Sequence, residues 1–111
     1  MELHKEIKRD CYAVKITFQE NGQEVGRARL YIIYDDVHKE PHGLLEDVFV
    51  NESQRGLGLG TQLIETAIDE AKKIGCYKII CTSRYSREKI HVWYEKLGFK
   101  NYGVEFRMDL I

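Results

Sequence analysis

Hydrophobic positions change their period several times along the chain, and each change marks an element. Tyr12, Val14, Ile16 and Phe18 alternate with Ala13, Lys15 and Thr17, a period of two that predicts a half-buried strand. Asn21-Gly22 follows as a hairpin signal. Val25 to Tyr34 predict the second strand, with Leu30, Ile32 and Tyr34 on one face and Arg27 and Arg29 on the other. Asp35 to His42 is polar, holds the single proline and reads as a loop. "GLLEDVFV", residues 43 to 50, is too apolar for a strand with a solvated face, which places it centrally. Leu63, Ile64, Ala67, Ile68, Ala71 and Ile74 then fall at helical spacing, with Thr61 near the start and Gly75 where a left-handed cap would end the helix. Residues 77 to 82, "YKIICT", predict a short buried strand, and strand, helix, strand in this order makes a right-handed crossover between parallel neighbours. Ile90, Trp93 and Leu97 mark one face of a second helix closed by Gly98. Val104, Phe106, Met108 and Leu110 alternate with Glu105, Arg107 and Asp109, predicting a last extended element. The expected architecture is an α/β fold, an α+β mixed sheet carrying helices, in one domain spanning residues 1–111.

Charge and composition narrow the partners. With 17 basic and 18 acidic residues mixed along the chain and a net charge of -1, there is no electrostatic footprint for nucleic acid or for an anionic membrane. No run of 18 apolar residues occurs, and the charged opening "MELHKEIKRD" is unlike a signal peptide, so a cytoplasmic protein is expected. Cys11, Cys76 and Cys81 lie in apolar contexts without C-x-x-C spacing and read as reduced core thiols; His4, His38 and His42 have no metal-ligand spacing beside them.

The chemistry centres on Gly56, Gly58 and Gly60, set at alternate positions between the apolar strand and the helix. A strand that ends in bare backbone and feeds a helix presents unpaired N–H groups and the positive end of the helix dipole, which suits phosphate oxygens. The loop is not a P-loop, because Gln62 follows Gly60-Thr61 where lysine and then Ser or Thr would be needed, and it departs from the dinucleotide fingerprint in having Leu63 at the third glycine position.

Arg55-Gly56-Leu57-Gly58-Leu59-Gly60 resembles the R/Q-x-x-G-x-G/A pyrophosphate signature of the GNAT family of N-acetyltransferases. A second match, Trp93-Tyr94-Glu95-Lys96-Leu97-Gly98-Phe99, resembles that family's "YEKLGF" segment, one strand further on. Within the family, "LEDVFV", "GCYKII" and "WYEKLGF" are similar to segments of glucosamine-6-phosphate N-acetyltransferases. The resemblance implies acetyl-coenzyme A as co-substrate, with Arg55 and the backbone around Gly56, Leu57, Gly58, Leu59, Gly60 and Thr61 at its pyrophosphate and the strand edge at Val48, Phe49 and Val50 beside its pantetheine arm. A small-molecule amine is the expected acceptor, with a protein N-terminus or lysine as the alternative.

Attack of an amine on a thioester requires a neutral amine, a stabilised carbonyl oxygen and a proton for the leaving thiolate. Tyr94 matches the family's acid tyrosine, and a phenol stays protonated at neutral pH. Glu46 shares strand parity with Val48 and Val50 and is the candidate base or amine anchor, with Asp47 the weaker choice; the N–H of Phe49 or Val50 is placed to polarise the thioester oxygen. His91 and the basic run Arg84, Arg87 and Lys89 are secondary candidates near the acceptor or the cofactor's 3'-phosphate. Two positions depart from the family pattern: Arg87 stands where many members carry Asn, and Ile90 where they carry Ala. The chain also begins at what would be the family's second strand, an N-terminally shortened arrangement that predicts a homodimer supplying the missing wall and keeps a catalytically silent acyl-coenzyme A binding module as an alternative.

Overall fold

The computed structural model describes residues 1–111 and contains a four-stranded sheet in the order β1-β2-β3-β4. The strands are β1 (Tyr12–Glu20), β2 (Gln23–Ile33), β3 (His42–Val50) and β4 (Ile79–Cys81); the helices are α1 (Leu59–Ile74) and α2 (Glu88–Lys96), with a 3₁₀ turn at Glu52–Gln54. β1 and β2 form the expected hairpin, turning through Asn21 and Gly22, both at positive φ (53° and 78°). β3 pairs antiparallel with β2 and parallel with β4, so it is central as its composition predicts.

One face of the sheet carries the core. Leu63, Ile64, Ala67 and Ala71 of α1 are buried against Ala28, Leu30, Ile32 and Leu45, with Val14, Ile16 and Phe18 packed around them. The helix stops where the sequence places its cap. Gly75 adopts φ 96° and its N–H donates to the carbonyls of Ala71 and Lys72, while Cys76 N–H returns to Ala71. The other sheet face, with Tyr31 and Phe49, is more than a third exposed at both rings.

Several expectations are corrected. Val104 to Leu110 form no strand and are exposed throughout, because alternation gives a segment two faces without giving its backbone a partner. The strand expected over 77 to 82 contracts to three residues, and Ile80 in its centre is exposed. Cys11 is exposed just before β1, so it is not a core thiol.

The β2–β3 loop is pinned by Asp35, whose Oδ1 accepts the backbone N–H groups of Val37 and His38, both at 2.9 Å. Its Oδ2 lies 3.0 Å from His38 Nδ1, and the His38 ring stacks on Tyr77 at 4.5 Å. Hydrogen bonds from the His38 backbone and ring, with that from the Val37 backbone, hold the Asp35 carboxyl well below the usual carboxylate range. A depressed pKa contributes stability that is fully present above the unfolded value of about 3.9 and disappears as the pH falls through the folded one. Urea unfolding of Asp35→Asn beside the parent chain should therefore show a constant deficit above about pH 5 that closes on acidification; a pH-independent deficit would mean that the charge is idle.

Candidate functional site

The parallel pairing of β3 with β4 lasts only three residues: Gly43 with Ile79, Leu44 with Ile80, Leu45 with Cys81. Beyond Leu45, β3 runs on for five residues to Val50 without a neighbour on that side. A cleft of about 630 Å³ lies there, walled by Val48, Phe49 and Val50, by the glycine loop and by Arg87, Ile90 and Trp93 of the α2 region. It gathers nine of the ten positions expected at the cofactor: Val48, Phe49, Val50, Arg55, Gly56, Gly58, Leu59, Gly60 and Thr61. Leu57 lies outside that lining and is 64% exposed.

The loop's glycines divide their roles. Gly56 (φ 84°) and Gly58 (φ 77°) occupy the left-handed region, where a Cβ is strained. Gly58 is the N-cap of α1 and offers no side-chain cap, so the first N–H groups of the helix open toward the cleft. The helix begins at Leu59, within the glycine loop, so Thr61 lies near its start as expected. Gly60 has ordinary backbone and is small for another reason: a Cβ there would meet Trp93 Cη2 at 3.2 Å and Cζ2 at 3.4 Å. Trp93 Nε1 also donates to Thr61 Oγ1 at 3.0 Å. Arg55 turns back along the loop, Nε donating to the Val50 carbonyl at 3.0 Å and the guanidinium lying 5.8 Å from the Phe49 ring centre.

Glu46 is placed differently from its sequence parity. Arg29 pairs with Glu46 but Arg27 pairs with Phe49, so Asp47 and Val48 together face Ala28 alone across a β-bulge. Asp47 sits at φ 54°, and its carboxylate receives Arg27 Nε at 2.8 Å and Nη2 at 3.2 Å. The extra residue reverses the alternation. Glu46 shares the open face with Leu44, Arg29 and Tyr31, lining a trough of about 830 Å³, while Val48 and Val50 pack toward the core under α1. Its charge still reaches the fork, where it contributes to raising both the Cys81 thiol and the Tyr94 phenol.

Tyr94 packs between Trp93 (ring centres 5.5 Å apart, stacked) and Phe99 (5.7 Å) against the core cluster, and it is not among the residues that line the cleft. Burial, then the neighbouring Cys81, push its phenol above the ordinary tyrosine value, with Arg87 opposing. Cys81 is pushed up to about 11, chiefly by burial, and so stays a thiol at neutral pH. His91 Nε2 lies 2.9 Å from the Arg84 carbonyl and so staples the turn before α2. Sequence reasoning missed Trp93 as a site residue, because no local signal ties it to Gly60, which it meets only in the tertiary packing.

The family model for the acetyltransferase (GNAT) family matches residues 1–99. The chain belongs to that family. It is 44% identical over 68 residues to the glucosamine 6-phosphate N-acetyltransferase of Trypanosoma brucei brucei, covering 61% of this chain and 44% of that protein. It is 36% identical over 63 residues to the Arabidopsis thaliana enzyme of the same name, covering 57% of this chain and 40% of the relative, so it spans less than half the length of either. Among solved structures, a Trypanosoma brucei acetyltransferase superposes with TM-score 0.80 at 39% identity, covering 88% of this chain and 69% of that one. The Arabidopsis thaliana glucosamine-6-phosphate N-acetyltransferase superposes with TM-score 0.78 at 26% identity, covering 89% and 67%. The GNAT fold, with its strand fork above a glycine-loop helix, is therefore the frame in which these residues sit.

The two kinds of glycine separate experimentally. Gly60→Ala should displace the indole and shift the emission of the single tryptophan, whereas Gly58→Ala should leave the emission unchanged and cost about 1 kcal/mol through its positive φ. Identical spectra for the parent chain and Gly60→Ala would refute the indole contact.

Proposed function

We propose that the chain is an acetyl-coenzyme A-dependent N-acetyltransferase that moves the acetyl group to a primary amine of a small molecule by direct attack in a ternary complex. The observation that carries this reading is the cleft itself, where an unpaired strand edge and an uncapped helix start face one space. Free N–H groups from Gly58 to Thr61 suit a pyrophosphate, and the edge from Val48 to Val50 suits an amide-bearing pantetheine arm, which pairs with backbone as a strand would.

In this reading the Phe49 or Val50 N–H stabilises the carbonyl oxygen as charge develops on it. Glu46, directly or through a water, takes the proton of the amine, approaching from the open face of the sheet on which it lies. Tyr94 gives its proton to the departing thiolate, and its raised pKa keeps that proton in place throughout the neutral range. The names of the relatives make a phosphorylated amino sugar the first acceptor to offer.

Tyr94→Phe keeps the ring between Trp93 and Phe99 and removes only the hydroxyl. Turnover with acetyl-coenzyme A and glucosamine 6-phosphate, followed by thiol release, should fall about 100-fold or more with coenzyme A affinity unchanged. A loss below about threefold would return Tyr94 to a packing role. Absence of thiol release with this and other amines, alongside tight coenzyme A binding, would favour the silent binding module.

The reading includes a homodimer. The sheet face bearing Tyr31, Phe49 and Glu46 has no helix over it, and a second copy would complete the acceptor side. Sedimentation equilibrium at micromolar concentration should give twice the 13.0 kDa chain mass; a monomer that turns over at full rate would remove the partner from the mechanism.

A further inference from the structure

Thr61 and Thr66 both lie on α1, and their hydroxyls are used differently. Thr66 Oγ1 donates to the Gln62 carbonyl one turn back, at 2.7 Å, which consumes its only proton. Thr61 Oγ1 instead accepts, from Trp93 Nε1 at 3.0 Å. An indole N–H is a donor only, so it must occupy a lone pair of the threonine oxygen and leave the hydroxyl proton for another acceptor. Thr61 lines the cleft at the first turn of α1, where backbone N–H groups already converge.

We propose that Trp93 is a positioning residue that turns the Thr61 hydroxyl into a phosphate donor: by filling the oxygen's acceptor site, the indole directs the Thr61 proton into the cleft, at the pyrophosphate of the coenzyme. This rests on the acetyl-coenzyme A reading above and adds a hydroxyl donor to the backbone N–H groups of the loop. Gly60 serves the same arrangement, since a Cβ there would lie 3.2 Å from Trp93 Cη2 and crowd the indole ring. Polarisation runs both ways along such a chain. A phosphate accepting from Thr61 makes that oxygen a better acceptor for the indole N–H, so occupancy of the loop tightens the hold of α1 on α2. Trp93 is also the residue stacked on Tyr94, and the same ring therefore sets the spacing between the phosphate loop and the proton donor.

Three variants test it by calorimetric titration with coenzyme A, after thermal melts confirm folding. Thr61→Val keeps the shape and removes the hydroxyl; it should weaken binding about tenfold, the scale of one hydrogen bond to a charged group. Trp93→Phe keeps an aromatic ring on Tyr94 and frees the Thr61 proton to turn elsewhere, so it should weaken binding by a similar or smaller factor. The double variant should bind more tightly than the product of the two single losses predicts, because the indole N–H acts through the hydroxyl even though its ring also walls the cleft. Thr61→Ser, which restores the hydroxyl, should recover the parent affinity. Multiplicative losses in the double variant, or parent-like binding by Thr61→Val, would overturn the proposal while leaving the coenzyme reading in place. A parent chain that binds no coenzyme A would overturn the reading itself, and the proposal with it.

Discussion

The site depends on where two strands stop pairing. β3 and β4 share backbone hydrogen bonds only as far as Leu45 and Cys81, and the remaining length of β3 presents a row of unmet peptide groups. In a soluble sheet an open edge of this kind is a liability unless it is short, covered or used. Here α2 crosses near it without closing it, and the loop from Asn51 to Gly58 brings the start of α1 to the same place. Parting the strands thus creates both the space and the polar lining of that space. A longer β4 would fill it.

The bulge at Asp47 is the second determinant. Inserting one residue opposite Ala28 turns Glu46 to one side of the sheet and Val48 to the other. In the proposed reading, a group acting on an amine from the open face and an edge holding a thioester arm from the helix face therefore belong to neighbouring positions of one strand. The left-handed backbone this demands of an aspartate is opposed by the bidentate grip of Arg27, itself braced by Glu24, which also pairs with Lys15 at 2.8 Å. The Arg27 fork answers a backbone requirement, and its guanidinium lies over Phe49, 4.8 Å from the ring centre, at the rim of the cleft.

Much of this was legible in the chain. The period-two runs of β1 and β2, the Asn-Gly turn, the apolar β3 and the α1 stripe ending at Gly75 each carry a local physical signal, and each forms where that signal lies. The glycine loop was legible for the same reason, since Gly56 and Gly58 take backbone conformations that other residues resist. Three features were not. The bulge arises from pairing across strands, so counting along β3 alone puts Glu46 on the wrong face. The extended segment at Val104 to Leu110 has the alternation of a strand, but alternation does not say what it pairs with. Gly60 and Trp93 are 33 positions apart, and their contact belongs to the tertiary packing of two helices rather than to either segment.

A core confined to one side of a sheet also distributes cohesion unevenly. The fully enclosed side chains Leu30, Ile32, Leu63 and Ile64 belong to β2 and to the first half of α1, whereas α2 contributes no buried residue and β4 only three residues of ladder. Local opening follows such gradients, with the last-to-open amides in the best-packed strand and the earliest in elements held by few contacts. Slow amide exchange should accordingly centre on β2, and the two elements that border the fork should breathe independently of it, which in the proposed reading gives a bulky thioester arm a route of entry that leaves the hairpin and α1 intact.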